Sequence, residues 1–180
     1  LFVTTPVLSC AINVAVNLFG QRMLEALVQR PEQARRVLRI INDAIVAVTR
    51  AFNDVIPAEI RRNSVAENRY APPGYGQIDG CATQLVSARH YSRFFDALDR
   101  EVLGLAPHGG LMHLCGAHAR HIPAWRAMPQ LRAIQINDRA VDDLARYFDG
   151  LRDDQLLYVA PTPAFPVERI LNITGGRRTV

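Results

Sequence analysis

Lysine is absent from this chain of 180 residues, so arginine carries all of its positive side-chain charge. Such usage mainly reflects genomic composition and identifies no function. The net charge is +4, but the arginines are interleaved with Asp and Glu, and no stripe of basic and aromatic residues appears. A nucleic-acid-binding surface would need such a stripe or patch. Nucleic acid is therefore not an expected partner.

Long apolar runs and a secretory signal are also missing, so we expect no membrane partner. Cysteine is scarce: Cys10, Cys81 and Cys115 are odd in number and widely spaced. That spacing favours a reducing, cytoplasmic setting over a disulfide framework. The chain has no initiator Met and opens in an apolar, strand-like run, Leu1 to Pro6. We interpret this opening as the sign of a fragment of a longer protein.

The remaining pattern alternates between helix and strand, which predicts an α/β fold. Helical signals begin around Asn17, and the clearest helix runs from Pro31 to about Val55, with apolar residues at three- and four-residue steps. Further helices are predicted at Ser87–Gly104, Ala117–Ala127, after an N-cap at Asp138 up to Gly150, and Val167–Thr174, and strands at Leu111–Leu114, Leu131–Ile136 and Leu156–Val159. This order predicts a parallel sheet, either doubly wound or part of a (β/α) barrel.

Polar residues collect where the predicted strands end. These pairs are Thr4 and Thr5, Gln77 and Asp79, His113 and Cys115, and Asn137 and Asp138. In a (β/α) barrel the active site lies at the carboxyl ends of the strands, so this pattern predicts a site there.

His113 and Cys115 stand two residues apart at the end of a predicted strand, and residues two apart share a strand face. An imidazole and a thiolate suit zinc, so the pair is a candidate half of a zinc site. Two alternatives remain: the pair is buried in a strand interior, or it forms a Cys–His nucleophile. Cys81, close after Asp79, is a candidate third ligand, although a buried structural cysteine is the simpler interpretation.

Other polar residues are candidates for substrate binding. Gln77 and Asp79 would contact amine or hydroxyl groups, and Asn137 and Asp138 would act similarly, although an Asp before a helix also serves as an N-cap. His118 would face the pocket from the first turn of its helix, whereas a solvated helix face is the simpler interpretation for His118 and His121. The aromatic residues Tyr91, Phe94, Phe95 and Trp125 have the spacing of core residues.

Several short motifs, taken together with their order along the chain, resemble the superfamily of uroporphyrinogen decarboxylases and corrinoid methyltransferases. The central one is Met112–Gly116, followed by a helix and by a strand that runs into Asn137-Asp138. The upstream matches are Thr5-Pro6, Leu18-Phe19-Gly20, Pro31-Glu32, Leu85-Val86-Ser87, Tyr91 and Phe95. The resemblance implies a (β/α)8 barrel longer than this chain, which would then be part of one domain, without the first strands and the final segment.

The two branches of the superfamily imply different chemistry. The decarboxylases have an active-site tyrosine in the segment that matches Pro6 to Ile12, and here that position holds Ile12. In the methyltransferases a His-x-Cys pair and a later cysteine bind zinc; His113 and Cys115 match the pair, and the later cysteine would fall beyond Val180.

The resemblance therefore implies an enzyme that transfers a methyl group between a corrinoid and a small thiol through zinc. Its partners would be a corrinoid protein or a free corrinoid, and self-association is compatible with it. The alternatives are a cofactor-free porphyrinogen decarboxylase and a barrel that binds a corrinoid or tetrapyrrole without catalysis.

Overall fold

A computed structural model describes residues 3–66 and 69–179, and it confirms the α/β class. Leu1 and Phe2, which open the predicted N-terminal strand, lie outside the described residues. The strands are β1 (Val3–Thr5), β2 (Leu8–Ser9), β3 (Arg61–Ala66), β4 (Arg69–Tyr70), β5 (Gly76–Asp79), β6 (Gly110–Cys115), β7 (Leu131–Asn137) and β8 (Leu156–Val159). The helices are α1 (Ala11–Phe19), α2 (Gln21–Gln29), α3 (Pro31–Val55), α4 (Ala88–Phe94), α5 (Asp96–Leu103), α6 (Ile122–Arg126), α7 (Leu144–Gly150) and α8 (Val167–Thr174).

The main sheet has five parallel strands in the order β2-β5-β6-β7-β8. Each new strand joins the same edge, whereas a doubly wound sheet reverses its direction of growth. In a smaller sheet of order β1-β3-β4, the central strand β3 is parallel to β1 and antiparallel to β4. The five-stranded sheet is compatible with part of a (β/α) barrel, and a closed barrel stays a prediction.

The two faces of the main sheet differ in chemistry because side chains alternate along each strand. One face packs into the main hydrophobic core, through residues such as Ile78, Met112, Leu114, Ile134 and Ile136. The opposite face carries the alternating polar residues Gln77, Asp79, His113, Cys115 and Gln135. The fold therefore collects polar side chains on one face of the sheet.

Several predicted elements are confirmed. Helix α3 spans the predicted residues, with Pro31 in its first turn and Glu32 near its positive end. Ser87 caps α4 by accepting a hydrogen bond from the His90 backbone N–H. Strand β8 and helix α8 also have the predicted bounds, and Gly175 ends α8 in the left-handed region. No helix among the described residues is both long enough and apolar enough to cross a bilayer.

Some predicted bounds are wrong. The first helix begins at Ala11 rather than near Asn17, and the predicted Ser87–Gly104 helix is broken at Phe95 into α4 and α5. The helix predicted at Ala117–Ala127 is a 3-10 turn, Ala119–His121, followed by the short α6. Such differences arise where tertiary packing overrides the local preference for helix.

The N-cap role predicted for Asp138 is also wrong. Asn137 precedes a 3-10 turn, Asp138–Asp143, and makes no side-chain capping bond. Asp138 itself has a φ of 47°, in the left-handed region that few non-glycine residues adopt. The backbone therefore turns sharply where β7 ends, at the polar end of the sheet.

A buried polar cluster lies in the helical layer. The Tyr91 hydroxyl donates to Asp99 Oδ2 at 2.7 Å and accepts from Trp125 Nε1 at 3.0 Å. All three side chains are buried, which confirms the predicted core roles of Tyr91 and Trp125. Burial raises the pKa of Asp99 to about 7, although the hydrogen bond from Tyr91 opposes this shift.

The raised pKa of Asp99 predicts how stability depends on pH. Folded protein keeps the Asp99 proton up to about pH 7, whereas the unfolded chain loses it near pH 4, so the free energy of unfolding should fall as pH rises through this window. Asp99→Asn retains an acceptor for Tyr91 but cannot ionise, and it should flatten this fall. Chemical denaturation from pH 4 to pH 8 measures the slope. The exposed control Asp153→Asn should keep the wild-type slope; an unchanged slope in Asp99→Asn would refute the assignment.

Candidate metal centre

Three metal-competent side chains meet at the carboxyl end of the sheet. His113 and Cys115 project from β6, and Cys81 begins the 3-10 turn Cys81–Leu85 that follows β5. The ligand atoms of Cys81, His113 and Cys115 all lie within 4.8 Å of one another. His113 Nε2 is 3.1 Å from Cys115 Sγ.

Strand register explains this convergence. Asp79 pairs with His113, and the Gly80 N–H donates to the His113 carbonyl at 2.8 Å. The chain thus continues beside β6 for one more residue before it turns. Cys81 therefore emerges next to His113 and Cys115, although it is distant from them in sequence.

Thr83 and His118 tie together the two loops that carry the cysteines. His118 Nε2 lies 2.9 Å from the carbonyl oxygen of Cys115, and its Nδ1 lies 2.8 Å from the Thr83 hydroxyl. The Thr83 hydroxyl is also 2.8 Å from the carbonyl oxygen of Gly80, the residue before Cys81. His118 Nε2–H donates to the Cys115 carbonyl, and the single Thr83 hydroxyl proton serves either the Gly80 carbonyl or His118 Nδ1. This network fixes the spacing between the loops.

Gly116 allows the same two loops to approach closely. It has a φ of 98°, and a Cβ atom there would lie 2.1 Å from Gln84 Oε1. The positive φ would strain any other residue, and the Gln84 amide would have to move to make room for a Cβ. The backbone conformation after Cys115 therefore favours glycine.

Gln135 orients the His113 ring from the neighbouring strand. The two residues are paired in register between β6 and β7, and His113 Nδ1 lies 2.7 Å from Gln135 Oε1. In this arrangement Nδ1–H donates to the amide oxygen, which leaves the Nε2 lone pair towards the cysteines. Gln135 is completely buried, so its amide is held in place.

Without a metal, the three ligands form a charged hydrogen-bonded group. The hydrogen bond with Cys81 raises the pKa of His113 to about 9, against the opposing effect of burial, and Gln135 adds to the rise. Burial pushes the pKa of Cys81 upwards, but the hydrogen bond and charge of His113 outweigh it and leave that pKa lowered. Burial and the negative charge of Cys81 raise the pKa of Cys115 to about 12. Without a metal, contact with His113 therefore makes the Cys81 thiol easier to deprotonate than an isolated cysteine, whereas Cys115 stays a thiol.

The acidic and amide residues predicted as substrate contacts lie around this group. Asp79 is opposite His113 in register, and Asn137 is opposite Cys115. Asp138 interacts with Cys115 by a hydrogen bond and helps to raise its pKa. Burial raises the pKa of Asp79, whose side chain has no hydrogen bond to another described residue. A cavity of about 380 Å³ opens beside Asn137 and Asp138.

The other two predicted substrate contacts are His118, which packs between loops, and Gln77, which lines another cavity. His118 and His121 are completely buried, so the solvated helix face expected for them is wrong; their short 3-10 turn folds inwards against Thr83. Both nitrogens of His118 face protein groups, which gives it a role in loop packing. Gln77 shares the polar face of β5 but lines a different cavity, nearer the start of the strand.

The donor set fits a tetrahedral transition-metal ion. Zinc bonds of 2.0–2.3 Å place tetrahedral ligand atoms roughly 3.3–3.8 Å apart, and small side-chain movements bring atoms that already lie within 4.8 Å to this spacing. Two thiolates would balance the charge of a divalent cation. No fourth His, Cys, Asp or Glu joins the group within residues 3–66 and 69–179. Three protein ligands with a free position is the arrangement typical of catalytic zinc.

Comparisons of the chain with protein-family models, curated proteins and solved structures found no match. The resemblance drawn from short motifs therefore stays a prediction, and the site must be judged from its own geometry.

Sequence reasoning ranked Cys81 too low and missed Thr83, Gln84 and Gln135. The sequence feature that could have identified Cys81 as a ligand is its position just after a strand that ends in Asp79. For Gln135 it was a polar residue inside the apolar strand Ala133 to Ile136. Neither signal gives the pairing of β5 and β7 with β6, which brings these residues to His113.

Loss of the Gln135 hydrogen bond should weaken metal binding. Gln135→Leu removes the acceptor for His113 Nδ1–H, frees the ring to rotate and should raise the zinc dissociation constant roughly 10- to 100-fold, the usual effect of losing such a partner. Competition with a chromophoric chelator measures the constant. Gln130→Leu, at the turn before β7, is the control and should bind zinc as the wild type does. Equal affinity in Gln135→Leu and wild type would show that the ring needs no such support.

Proposed function

We propose that the protein binds zinc through Cys81, His113 and Cys115 and catalyses methyl transfer from a corrinoid to a small thiol. The observation that carries the metal part is the convergence of one imidazole and two cysteines on the polar face of the sheet. The corrinoid part rests on the resemblance of the Met112–Gly116 and Asn137-Asp138 motifs to the corrinoid methyltransferases. The isoleucine at position 12, where the decarboxylases have a tyrosine, favours the methyltransferase branch.

The zinc ion would supply a Lewis acid that binds the substrate thiol as a thiolate and keeps it nucleophilic near neutral pH. The residues of the chain prepare this chemistry. Gln135 holds the His113 lone pair towards the site, and the Thr83–His118 network fixes the loops of both cysteines. Loss of the thiol protons and of the imidazolium proton accompanies metal binding, so zinc affinity should increase as pH rises.

The polar surroundings and the neighbouring cavity provide room for the substrates. Asp79 and Asn137 flank the metal ligands in register, and the cavity beside Asp138 opens at the same end of the sheet. In the transfer, the thiol sulfur forms a bond to the methyl carbon while the cobalt–carbon bond breaks and its electron pair stays on cobalt. The proton of the thiol leaves to solvent.

Metal content tests the ligand assignment. Wild-type protein dialysed against zinc-free buffer should retain zinc in a 1:1 ratio by mass spectrometry of the metal, whereas Cys81→Ser, His113→Ala and Cys115→Ser should each lose it, because a hydroxyl or methyl group replaces a strong donor. The control Cys10→Ser alters a cysteine buried beside Asn13 and should keep its zinc. Stoichiometric zinc in all three ligand variants would end the metal proposal. If His113→Ala and Cys115→Ser lose zinc but Cys81→Ser keeps it, the third ligand lies elsewhere in the protein.

Activity tests the reaction class. With methylcobalamin and 2-mercaptoethanol under anaerobic conditions, the zinc-loaded protein should demethylate the corrinoid, which is followed by its visible absorbance. Chelation should abolish the rate, added zinc should restore it, and Cys115→Ser should remain inactive. Release of carbon dioxide from a porphyrinogen, undiminished by chelator and by Cys115→Ser, would instead establish the decarboxylase. Binding of methylcobalamin without turnover would establish a barrel that only binds the corrinoid.

A further inference from the structure

A buried arginine lies at the other end of β5, away from the metal centre. The Arg61 side chain belongs to β3, and the residue is only 7% exposed. Its Nη1 donates to the Ile56 carbonyl at 3.0 Å, and the guanidinium makes no other hydrogen bond and no ion pair with the described residues. Buried charges in proteins are normally paired, because removing an ion from water without a partner costs several kcal/mol.

The unpaired guanidinium lines a small cavity of about 40 Å³ whose wall mixes apolar and polar side chains. The cavity lies beside the part of β5 that precedes its pairing with β2, and Gln77 of β5 and Arg61 of β3 both line it. A volume of this size admits only a ligand group of a few heavy atoms at most. A carboxylate group is of that size.

The other polar groups of the cavity leave Arg61 and Gln77 available. Thr5 donates to Asn63, and Asn63 donates to the Tyr75 carbonyl. Thr49 and Asn53 donate to backbone carbonyls of Ile45 and Leu105, so these four side chains bond to one another or to the backbone. Gln77 Oε1 is buried and has no hydrogen-bond partner among the residues that the structure describes. Rotation of this amide exchanges its oxygen and nitrogen, so Gln77 can present N–H donors to a ligand in the cavity.

We propose that Arg61 and Gln77 form a binding site for a small carboxylate. A planar guanidinium binds a carboxylate through parallel N–H···O bonds, and the amide of Gln77 supplies a further donor. The bound anion neutralises the buried charge of Arg61. This site does not depend on the proposed zinc chemistry, since it uses none of the metal ligands and lies at the opposite end of β5.

Formate, the smallest carboxylate, is the probe. Metal-free wild-type protein, prepared with chelator so that formate cannot bind zinc, is titrated with 13C-labelled formate and followed by the formate NMR signal at constant ionic strength in chloride. Saturable broadening or shift of this signal is expected, together with a rise in the thermal unfolding midpoint that chloride does not produce, because a ligand of the folded state stabilises it. Absence of both effects in the wild type would overturn the proposal.

Variants then locate the site. Arg61→Met should lose the formate response, whereas the matched control Arg36→Met, which changes an exposed arginine of α3, should keep it. A full formate response in Arg61→Met would also overturn the proposal. Gln77→Glu provides a second test that does not require removal of the arginine. Its carboxylate should pair with Arg61, raise the unfolding midpoint without formate and abolish the response; an unchanged formate response would contradict the site.

Discussion

The in-register parallel pairing of β5, β6 and β7 is the constraint on which the candidate site depends. It places Asp79, His113 and Gln135 in one row across the sheet. The single hydrogen bond from Gly80 to the His113 carbonyl extends this row beyond β5 and delivers Cys81 to the pair on β6. A shift of β6 by one residue in this register would turn His113 and Cys115 to the face that packs against the hydrophobic core, away from Cys81.

Around this row, hydrogen bonds connect the loops that carry the two cysteines. Thr83 and His118 link these loops, and Gln84 packs against Gly116, whose positive φ favours glycine. A site whose ligands are already held close together loses less conformational freedom when a metal binds. In the metal-free protein, hydrogen bonds among His113, Cys81 and Cys115 satisfy the same atoms, so binding replaces protons with a cation.

The sheet also separates two polar sites. At the carboxyl end, three side chains that can bind a metal converge, and near the start of β5 one cavity is lined by a buried arginine and by a glutamine whose Oε1 has no partner among the described residues. Between sheet and helices the core is mainly apolar, and within it Tyr91, Asp99 and Trp125 are hydrogen-bonded to one another. Places where a sequence departs from that pattern are where function is expected.

The sequence by itself determined the α/β class, the long helix α3 and the strands around His113, because periodicity and caps are local signals. It also identified His113 and Cys115, which are neighbours on one strand. Only the tertiary structure decided that Cys81 joins them, that His118 and His121 turn inwards, and that Gln135 holds the ring. These outcomes depend on strand order and register between segments distant along the chain, and no local pattern of residues encodes a contact of that kind.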